Sequence, residues 1–283
     1  MILIADSGST KTDWHYVNSG DNAQSDSFST QGINPFHQND NIIHKIIQDE
    51  LLPQLDLQDG DDLTVYFYGA GCTPETAPRL KAILEQDLAC KAEVNSDLLG
   101  AAHALLGNNS GVACILGTGS NSCYYDGHKI LKNVSPLGYI LGDEGSAAYI
   151  GKRLVGDMLK NQFSQDLTDL FYTETQQTGA SIIEKTYRQP LPNRFLGEIS
   201  QFCQHHRDND EIHSFLINCF KQFFVRNIKS YECYSPSKQL QVNFVGSIAW
   251  VYEDEIKEVA EQLGYEIGVI MRSPMDGLLK YYS

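Results

Sequence analysis

Residues Ile2 to Trp14 read ILIADSGSTKTDW, and a related phrase, CILGTGSNSCYY, returns at Cys114 to Tyr125. Each is a short apolar run, a turn built from Gly with Ser or Thr, and a second extended run. That shape predicts a hairpin with a small-residue tip. Small residues let backbone N–H groups come close to a phosphate, because a Cβ at the tip would hold the ligand away. Two such tips in one chain suggest two walls of a nucleotide cleft.

Outward from the first hairpin, TQGINPF (Thr30 to Phe36) leads into Asn41 to Leu52, where Ile42, Ile43, Ile46, Ile47 and Leu51 recur at helical spacing. LTVYFYGAG (Leu63 to Gly71) predicts a buried strand, and Thr73 to Leu88 a helix with Pro74 in its first turn. Ala92 to Asp97 predicts a short strand running into a helix at Leu98 to Leu106. GNNSG (Gly107 to Gly111) is a turn cluster that marks a domain boundary.

Beyond the second hairpin, LGDEGS (Leu141 to Ser146) opens a long helix, with Asp143 and Glu144 at its positive end. The chain from about Ser164 to Ser235 is expected to be wholly helical. VNFVGSIAW (Val242 to Trp250) is a strand-to-helix turn, followed by a helix at Glu253 to Leu263, a strand at Tyr265 to Met271 and a short closing helix after Pro274. EVNSDLLGAA (Glu93 to Ala102) and NFVGSIAW (Asn243 to Trp250) are both strand, small-residue turn and helix, and each follows one hairpin. The order implies a duplicated half, with a domain over 1–107 completed by 274–283 and a second over 108–273 that carries a helical insertion.

Composition narrows the function classes. A formal net charge of −15 argues against nucleic acid or an anionic membrane as the main partner, since both draw on clustered Lys and Arg. The seven cysteines are scattered and form no CxxC pair, so neither a zinc site nor a disulfide framework is expected. Asp6 breaks the opening apolar run too early for a leader, and no apolar stretch is long enough to span a membrane. A cytoplasmic protein is the expectation. His205 and His206 lack Cys or acid partners in sequence and are read as solvated rather than as metal ligands.

DSGSTKTDW, NSD, LGTGSNS, LGDEGS and FVGSIA, in this order, resemble the phosphate, connecting and adenosine motifs of the sugar kinase–actin–chaperone ATPase superfamily. Within it the chain is similar to the N-acetylglucosamine kinase and BadF/BadG/BcrA/BcrD-type ATPase family. The resemblance runs from Asp6 to about Gly277. It implies an α/β, two-domain actin-like ATPase (ribonuclease H-like) fold with duplicated mixed sheets around a central cleft. It also implies ATP and Mg²⁺ as cofactors, and transfer of the γ-phosphate to a hydroxyl of an amino sugar.

The site residues follow from the resemblance motif by motif. Asp6 would hold Mg²⁺, directly or through water, while Gly8, Ser9, Thr10 and Lys11 offer amides, hydroxyls and one cation to the β- and γ-phosphates. Asp97 would be the general base for the sugar hydroxyl, although an Asp at a strand-to-helix junction also makes an ordinary N-cap. The segment here, NSDLLGA, has one residue more between Asn95 and Asp97 than the family's NDAAG-like form. Thr118 and Gly119 would serve phosphate and Thr118 and Asn121 sugar, all three placed in the second hairpin tip. Asn34 and Asp143 would bind sugar hydroxyls, with a plain turn before Pro35 as the alternative for Asn34. Gly246, Ser247 and Ala249 would receive the base and ribose, where close helix–strand packing also accounts for a glycine.

The family's tryptophan-containing GGWG-like lead-in is here SPLGYI (Ser135 to Ile140), so glucosamine and N-acetylmuramic acid stand beside N-acetylglucosamine as acceptors. Two other classes share the fold: an activator ATPase holding an iron–sulfur cluster, for which Cys114 and Cys123 can be argued as ligands although they fall within the hairpin strands themselves, and a non-catalytic sugar-sensing regulator. The second hairpin lacks the lysine of the activators' GGQDxK form, and retention of Asp6, Lys11 and Asp97 argues against a regulator. Homodimers are common among related kinases, and the helical stretch after Ser164 offers a surface for one.

Overall fold

The computed structural model describes residues 1–8, 10–17, 25–57, 62–234 and 240–283, so Ser9 and Ser235 lie outside the described residues. The chain divides into two compact units, residues 1–107 with 274–283, and residues 108–273.

The first unit is built on β1 (Ile2–Ser7), β2 (Lys11–Val17), β3 (Ser25–Gln31), β4 (Thr64–Gly69) and β5 (Lys91–Ser96), in the order β3-β2-β1-β4-β5. β1, β2 and β3 run antiparallel in turn, while β4 and β5 lie parallel to β1 on its other side. Leu3 and Ala5 of β1 join a core with Ile43, Leu80 and Leu84, which come from α1 (Asp40–Ile46) and α2 (Ala77–Leu88). Ile4, between them, points to the opposite cluster with Tyr68, Ala104 and Leu278, where α3 (Asp97–Leu106) lies. A strand covered on both faces reads as an unbroken apolar run, which is why ILIA is so plain in the sequence.

The second unit repeats the plan. β6 (Gly111–Leu116), β7 (Ser120–Tyr125), β8 (Ile130–Val134), β9 (Gln241–Val245) and β10 (Glu266–Met271) stand in the order β10-β9-β6-β7-β8. Again the first three are antiparallel in turn and the last two parallel. Between β8 and β9 come α4 (Gly138–Leu141), α5 (Ala147–Leu159), α6 (Gln165–Thr175), α7 (Gly179–Tyr187), α8 (Pro192–Ile199), α9 (Gln201–His205) and α10 (Asp210–Arg226). Val112, Cys114 and Leu116 share one core with Leu154, Phe171, Leu196, Phe202 and Phe220 of these helices and with Phe244 of β9. After β9 come α11 (Ser247–Val251) and α12 (Glu253–Leu263).

α13 (Met275–Tyr281) closes the first unit, and the terminal tyrosines are packing residues. Tyr282 stacks on Tyr66 with centroids 3.8 Å apart, and its hydroxyl lies 2.5 Å from that of Tyr68. The Tyr68 hydroxyl is in turn 2.7 Å from His103 Nδ1.

The structure departs from the sequence reading in four places. β3 and β8 escape it because both are edge strands: β3 (SDSFSTQ) has Phe28 as its one large apolar residue, and β8 has no fully buried residue. The helix expected over Asn41 to Leu52 widens to a π-helical turn at Ile47–Leu51 and tightens to a 3₁₀ turn before Leu55, around Pro53. α2 starts at Ala77 rather than Thr73, because Thr73 to Thr76 close a turn in which the Thr76 hydroxyl donates to the Gly71 carbonyl. α5 begins only at Ala147, with Ser146 as its N-cap, so Asp143 and Glu144 belong to the preceding loop.

Candidate functional site

In the first hairpin, Ser7 and Thr12 face each other across the ladder, both buried, with hydroxyl oxygens 2.6 Å apart. The Ser7 hydroxyl also contacts the carbonyl of Ile33, and the Ile33 N–H donates back to both oxygens at 3.0 and 3.1 Å. This knot ties the strand ends to the segment carrying Asn34. Beyond it the tip turns back through Gly8 N–H to the Lys11 carbonyl, 3.0 Å, leaving Gly8 and Thr10 exposed.

Asp6 and Asp13 are also ladder partners, so two acids face each other, an arrangement that costs stability. Lys11 pairs with Asp13 at 2.7 Å, on the exposed side. Such a surface pair contributes about 0–1 kcal/mol, so the ammonium can leave Asp13 for a stronger anion. Asp6 is pushed up to about 7, first by burial, then by Asp97 and Asp13, with Lys11 opposing.

The structure separates two roles that the sequence left open at Asp97. The N-cap of α3 is Ser96, whose hydroxyl accepts from Leu99 N–H at 3.2 Å. Asp97 is the first residue of the helix, with Oδ1 accepting from Leu98 N–H at 2.8 Å. Burial raises its carboxyl above the ordinary value, against two main-chain hydrogen bonds that lower it. The Asp97 charge is also felt by Cys72, whose thiol is pushed up to about 12, chiefly by burial. Asp6, Asp97 and Cys72 therefore form one electrostatic neighbourhood inside the first unit.

Asn34 is buried and folds as a turn: its Oδ1 accepts from Phe36 N–H at 3.0 Å and its carbonyl accepts from Gln38 N–H at 3.0 Å. Gly71, at φ +78°, is required beside it, since a Cβ there would sit 2.1 Å from Asn34 Oδ1. The turn expected before Pro35 is thus present. No described residue accepts from the Asn34 side-chain N–H₂ group.

In the second unit the tip is Gly117 to Gly119, with Thr118 exposed, and it is docked on the start of α5. The carbonyls of Gly117 and Thr118 accept from Ala147 and Ala148 N–H at 2.9 and 3.1 Å, satisfying two of the free amides of that helix end. Asn121 is not in the tip but in β7, and its Oδ1 already accepts from Ser122 N–H and from Asn133 Nδ2. That engagement was invisible in sequence because Asn133 lies on β8, a strand the pattern does not announce.

Asp143 reaches the tip from the loop before α5. Its backbone is left-handed, φ +54°, and Oδ1 lies 3.4 Å from Ser120 N. A Cβ on Gly119 would stand 3.2 Å from Oδ2, so the glycine leaves room for the carboxylate. Burial first of all, helped by the Glu144 charge, pushes Asp143 up to about 6, while Ser120 N–H and Lys152 pull it down. Glu144 is buried too and is paired with Arg226 Nε at 2.9 Å.

Gly246 takes φ +125°, and a Cβ there would come within 2.3 Å of the Leu116 carbonyl. Close backbone approach accounts for this glycine within the unit. Ser247 starts α11, and the Ala249 methyl is wholly buried in the core, so Ala249 offers a ligand only main-chain atoms. His206 Nε2 is 2.7 Å from Glu174, an acid partner that the sequence did not disclose.

Cys114 and Cys123 are fully buried within β6 and β7, and all seven thiols are free. No group of three or more His, Cys, Asp or Glu side chains suited to a metal occurs among the described residues, and no helix among them is long and apolar enough to cross a membrane.

Two mixed sheets of identical strand order, each opening with a small-residue hairpin, define the actin-like ATPase class. No family model and no curated protein matches the chain. Solved structures do. A Porphyromonas gingivalis protein, provisionally described as an N-acetylglucosamine kinase, is 46% identical over 100% of this chain and 98% of its own, with a TM-score of 0.92. A Chromobacterium violaceum protein with the same provisional description is 16% identical over 100% and 98%, TM-score 0.69. A ROK hexokinase from Thermus thermophilus is 14% identical over 99% and 96%, TM-score 0.51. The last two are similar in fold alone. The chain belongs to the N-acetylglucosamine kinase and BadF/BadG/BcrA/BcrD-type ATPase family of the sugar kinase–actin–chaperone ATPase superfamily.

Proposed function

We propose that the chain is an ATP-dependent kinase that transfers the γ-phosphoryl group of ATP to the 6-hydroxyl of N-acetylglucosamine. The observation that carries this reading is Asp97: Ser96 has taken over the capping duty, leaving a carboxyl of raised affinity for protons at a helix start, close enough to Asp6 to perturb it. Asp97 accepts the proton of the hydroxyl, whose oxygen bonds to the γ-phosphorus as the bond from that phosphorus to the β,γ-bridging oxygen breaks, giving ADP, sugar phosphate and one proton.

Gly8, Ser9, Thr10 and Lys11 receive the phosphates, with Thr118 and Gly119 offering further hydroxyl and amide contacts. Gly246, Ser247 and the Ala249 backbone receive the nucleoside. Asn34 through its unengaged N–H₂ group, Asp143 through its carboxylate and Asn121 through its amide nitrogen are the sugar ligands. The residues suit Mg²⁺: Asp6 is a half-buried acid whose charge is disfavoured by desolvation first and by Asp97 and Asp13 next, and a divalent cation relieves that repulsion. Mg²⁺ is held by one or two carboxylates, waters and substrate phosphates, so a site without three protein ligands is expected for it. When bound, it neutralises charge on the β- and γ-phosphates.

A coupled ADP-release screen across N-acetylglucosamine, glucosamine, N-acetylmuramic acid and glucose tests the reading. N-Acetylglucosamine should give the highest kcat/KM. ADP release that no sugar stimulates would transfer the protein to the sensing or activator classes.

A further inference from the structure

The loop that presents Asp143 is unusual in its backbone. Leu137, Gly138, Asp143 and Gly145 all have positive φ, two of them at non-glycine residues, and Gly142 is pressed so close that a Cβ would lie 2.1 Å from the Pro136 carbonyl. Non-glycine residues in this region cost of order 1 kcal/mol or more each and persist when their surroundings hold them there. Its middle, α4, is a single turn with Ile140 and Leu141 exposed and only Tyr139 packed against the core of the second unit.

Within the loop the Asp143 N–H donates to the Pro136 carbonyl at 2.9 Å and the Gly142 N–H to the Gly138 carbonyl at 2.8 Å, and α5 adds a restraint from a side chain. Lys152 Nζ donates to the Tyr139 carbonyl at 2.6 Å and to the Ile140 carbonyl at 3.3 Å, and it lies 5.3 Å from the centre of the Tyr149 ring. These carbonyls belong to a helical turn whose C-terminal end needs donors. We propose that Lys152 is a positioning residue: through two main-chain carbonyls it holds the loop that sets Asp143 against the Gly117 to Gly119 tip.

Charge supports the same assignment. Burial lowers Lys152 below its ordinary value, against the charges of Glu144 and Asp143, and Lys152 in turn favours the ionised form of Asp143. Arg226, from α10, is paired with Glu144, and Arg153 opposes the Lys152 charge. Lys152 thus supplies geometry to the loop and a counter-charge to the one acid that meets the tip.

The proposal rests on the kinase reading for its kinetic consequence but has a test independent of it. In Lys152→Gln, hydrogen exchange of the amides over 138–146 should quicken, with exchange elsewhere in α5 unchanged. Kinetically, KM for the sugar should rise roughly tenfold, the size expected from loss of one charge-assisted hydrogen bond, while KM for ATP stays put. The acidic limb of kcat/KM for the sugar should move to higher pH, since a cation near Asp143 has gone. Lys152→Arg should restore the KM and the limb in large part. Unchanged exchange over 138–146 in Lys152→Gln, or an equal rise in both KM values with an unmoved pH limb, would overturn the assignment. A wild-type protein inactive on every sugar would instead sink the kinase reading and leave the exchange result to decide on Lys152.

Discussion

Replacing Asp6 by Asn should make the ligand-free protein more stable, and more so the higher the pH. The Asp6 carboxyl is moved from its ordinary 3.8 to about 7, by burial first and by Asp97 and Asp13 next. Its folded-state value lies above its unfolded one, so its contribution to stability is fully present below about pH 3.8 and is lost as the pH rises through about 7. At pH 8 the native state carries the whole cost of the buried charge, with a ceiling of about 4 kcal/mol. Solvent reaches part of the side chain, and screening brings that to about 2 kcal/mol. Asn has nearly the same shape and no charge. Calorimetry without ligand should therefore show the transition that reports the first unit rising by about 8 °C near pH 8 in Asp6→Asn, and by clearly less near pH 5. Mg²⁺ with ATP should then raise the wild-type midpoint and leave that of the variant almost unmoved. A gain of equal size at both pH values, or a loss near pH 8, would refute the electrostatic account of Asp6.

Asp97→Asn should lower kcat by about 10²–10⁴-fold with ATP affinity retained, and should let Asp6 titrate at lower pH, readable by carboxyl NMR, because the Asp97 charge is one of the causes raising it. Asp143→Asn should raise KM for the sugar and remove from kcat/KM an acidic limb near pH 6: a raised carboxyl is protonated, and lost as an acceptor, as the pH falls through about 6. Gly246→Ala should destabilise the second unit by about 1–3 kcal/mol or more, seen in its denaturation midpoint, since the new methyl meets a main-chain carbonyl that cannot move aside.

The parts of the fold that sequence exposes are those buried on both faces or forced by sterics. ILIADS, LTVYFYG and VNFVGS announce strands because helices cover them, and the hairpin tips announce themselves because only small residues fit. β3 and β8 stay silent for the opposite reason, being edge strands that carry few buried residues. The site divides along the same line. Asp6, Asp97 and Asp143 were legible as acids beside small-residue turns. Ser7 with Thr12, Glu144 with Arg226 and Lys152 with two carbonyls were not, since each gains its meaning from a partner brought up by folding. Ser96 is intermediate: a Ser followed by an acid and then a helical run is an N-cap signal that the sequence itself carries.

The register of the two hairpins explains why copies of one sheet can do different chemistry. In the first, Asp6 faces Asp13 next to the closing pair Ser7 and Thr12. In the second, Ile115 faces Asn121 next to the closing pair Leu116 and Ser120. The places that hold two acids and a hydroxyl pair in one unit hold neutral residues in the other, and the second tip is one residue shorter. Acidic side chains therefore gather beside the first tip, where the proposed function would place a divalent cation with its phosphates. At the second, the acid arrives from outside the hairpin, on a loop with unfavourable backbone angles to which Lys152 and main-chain N–H groups both donate. An acid mounted this way can be re-aimed by changes in the loop without disturbing the sheet. SPLGYI, where this chain departs from its family's lead-in, lies in that same loop, so on the proposed reading acceptor choice would drift here while the phosphate end stayed fixed.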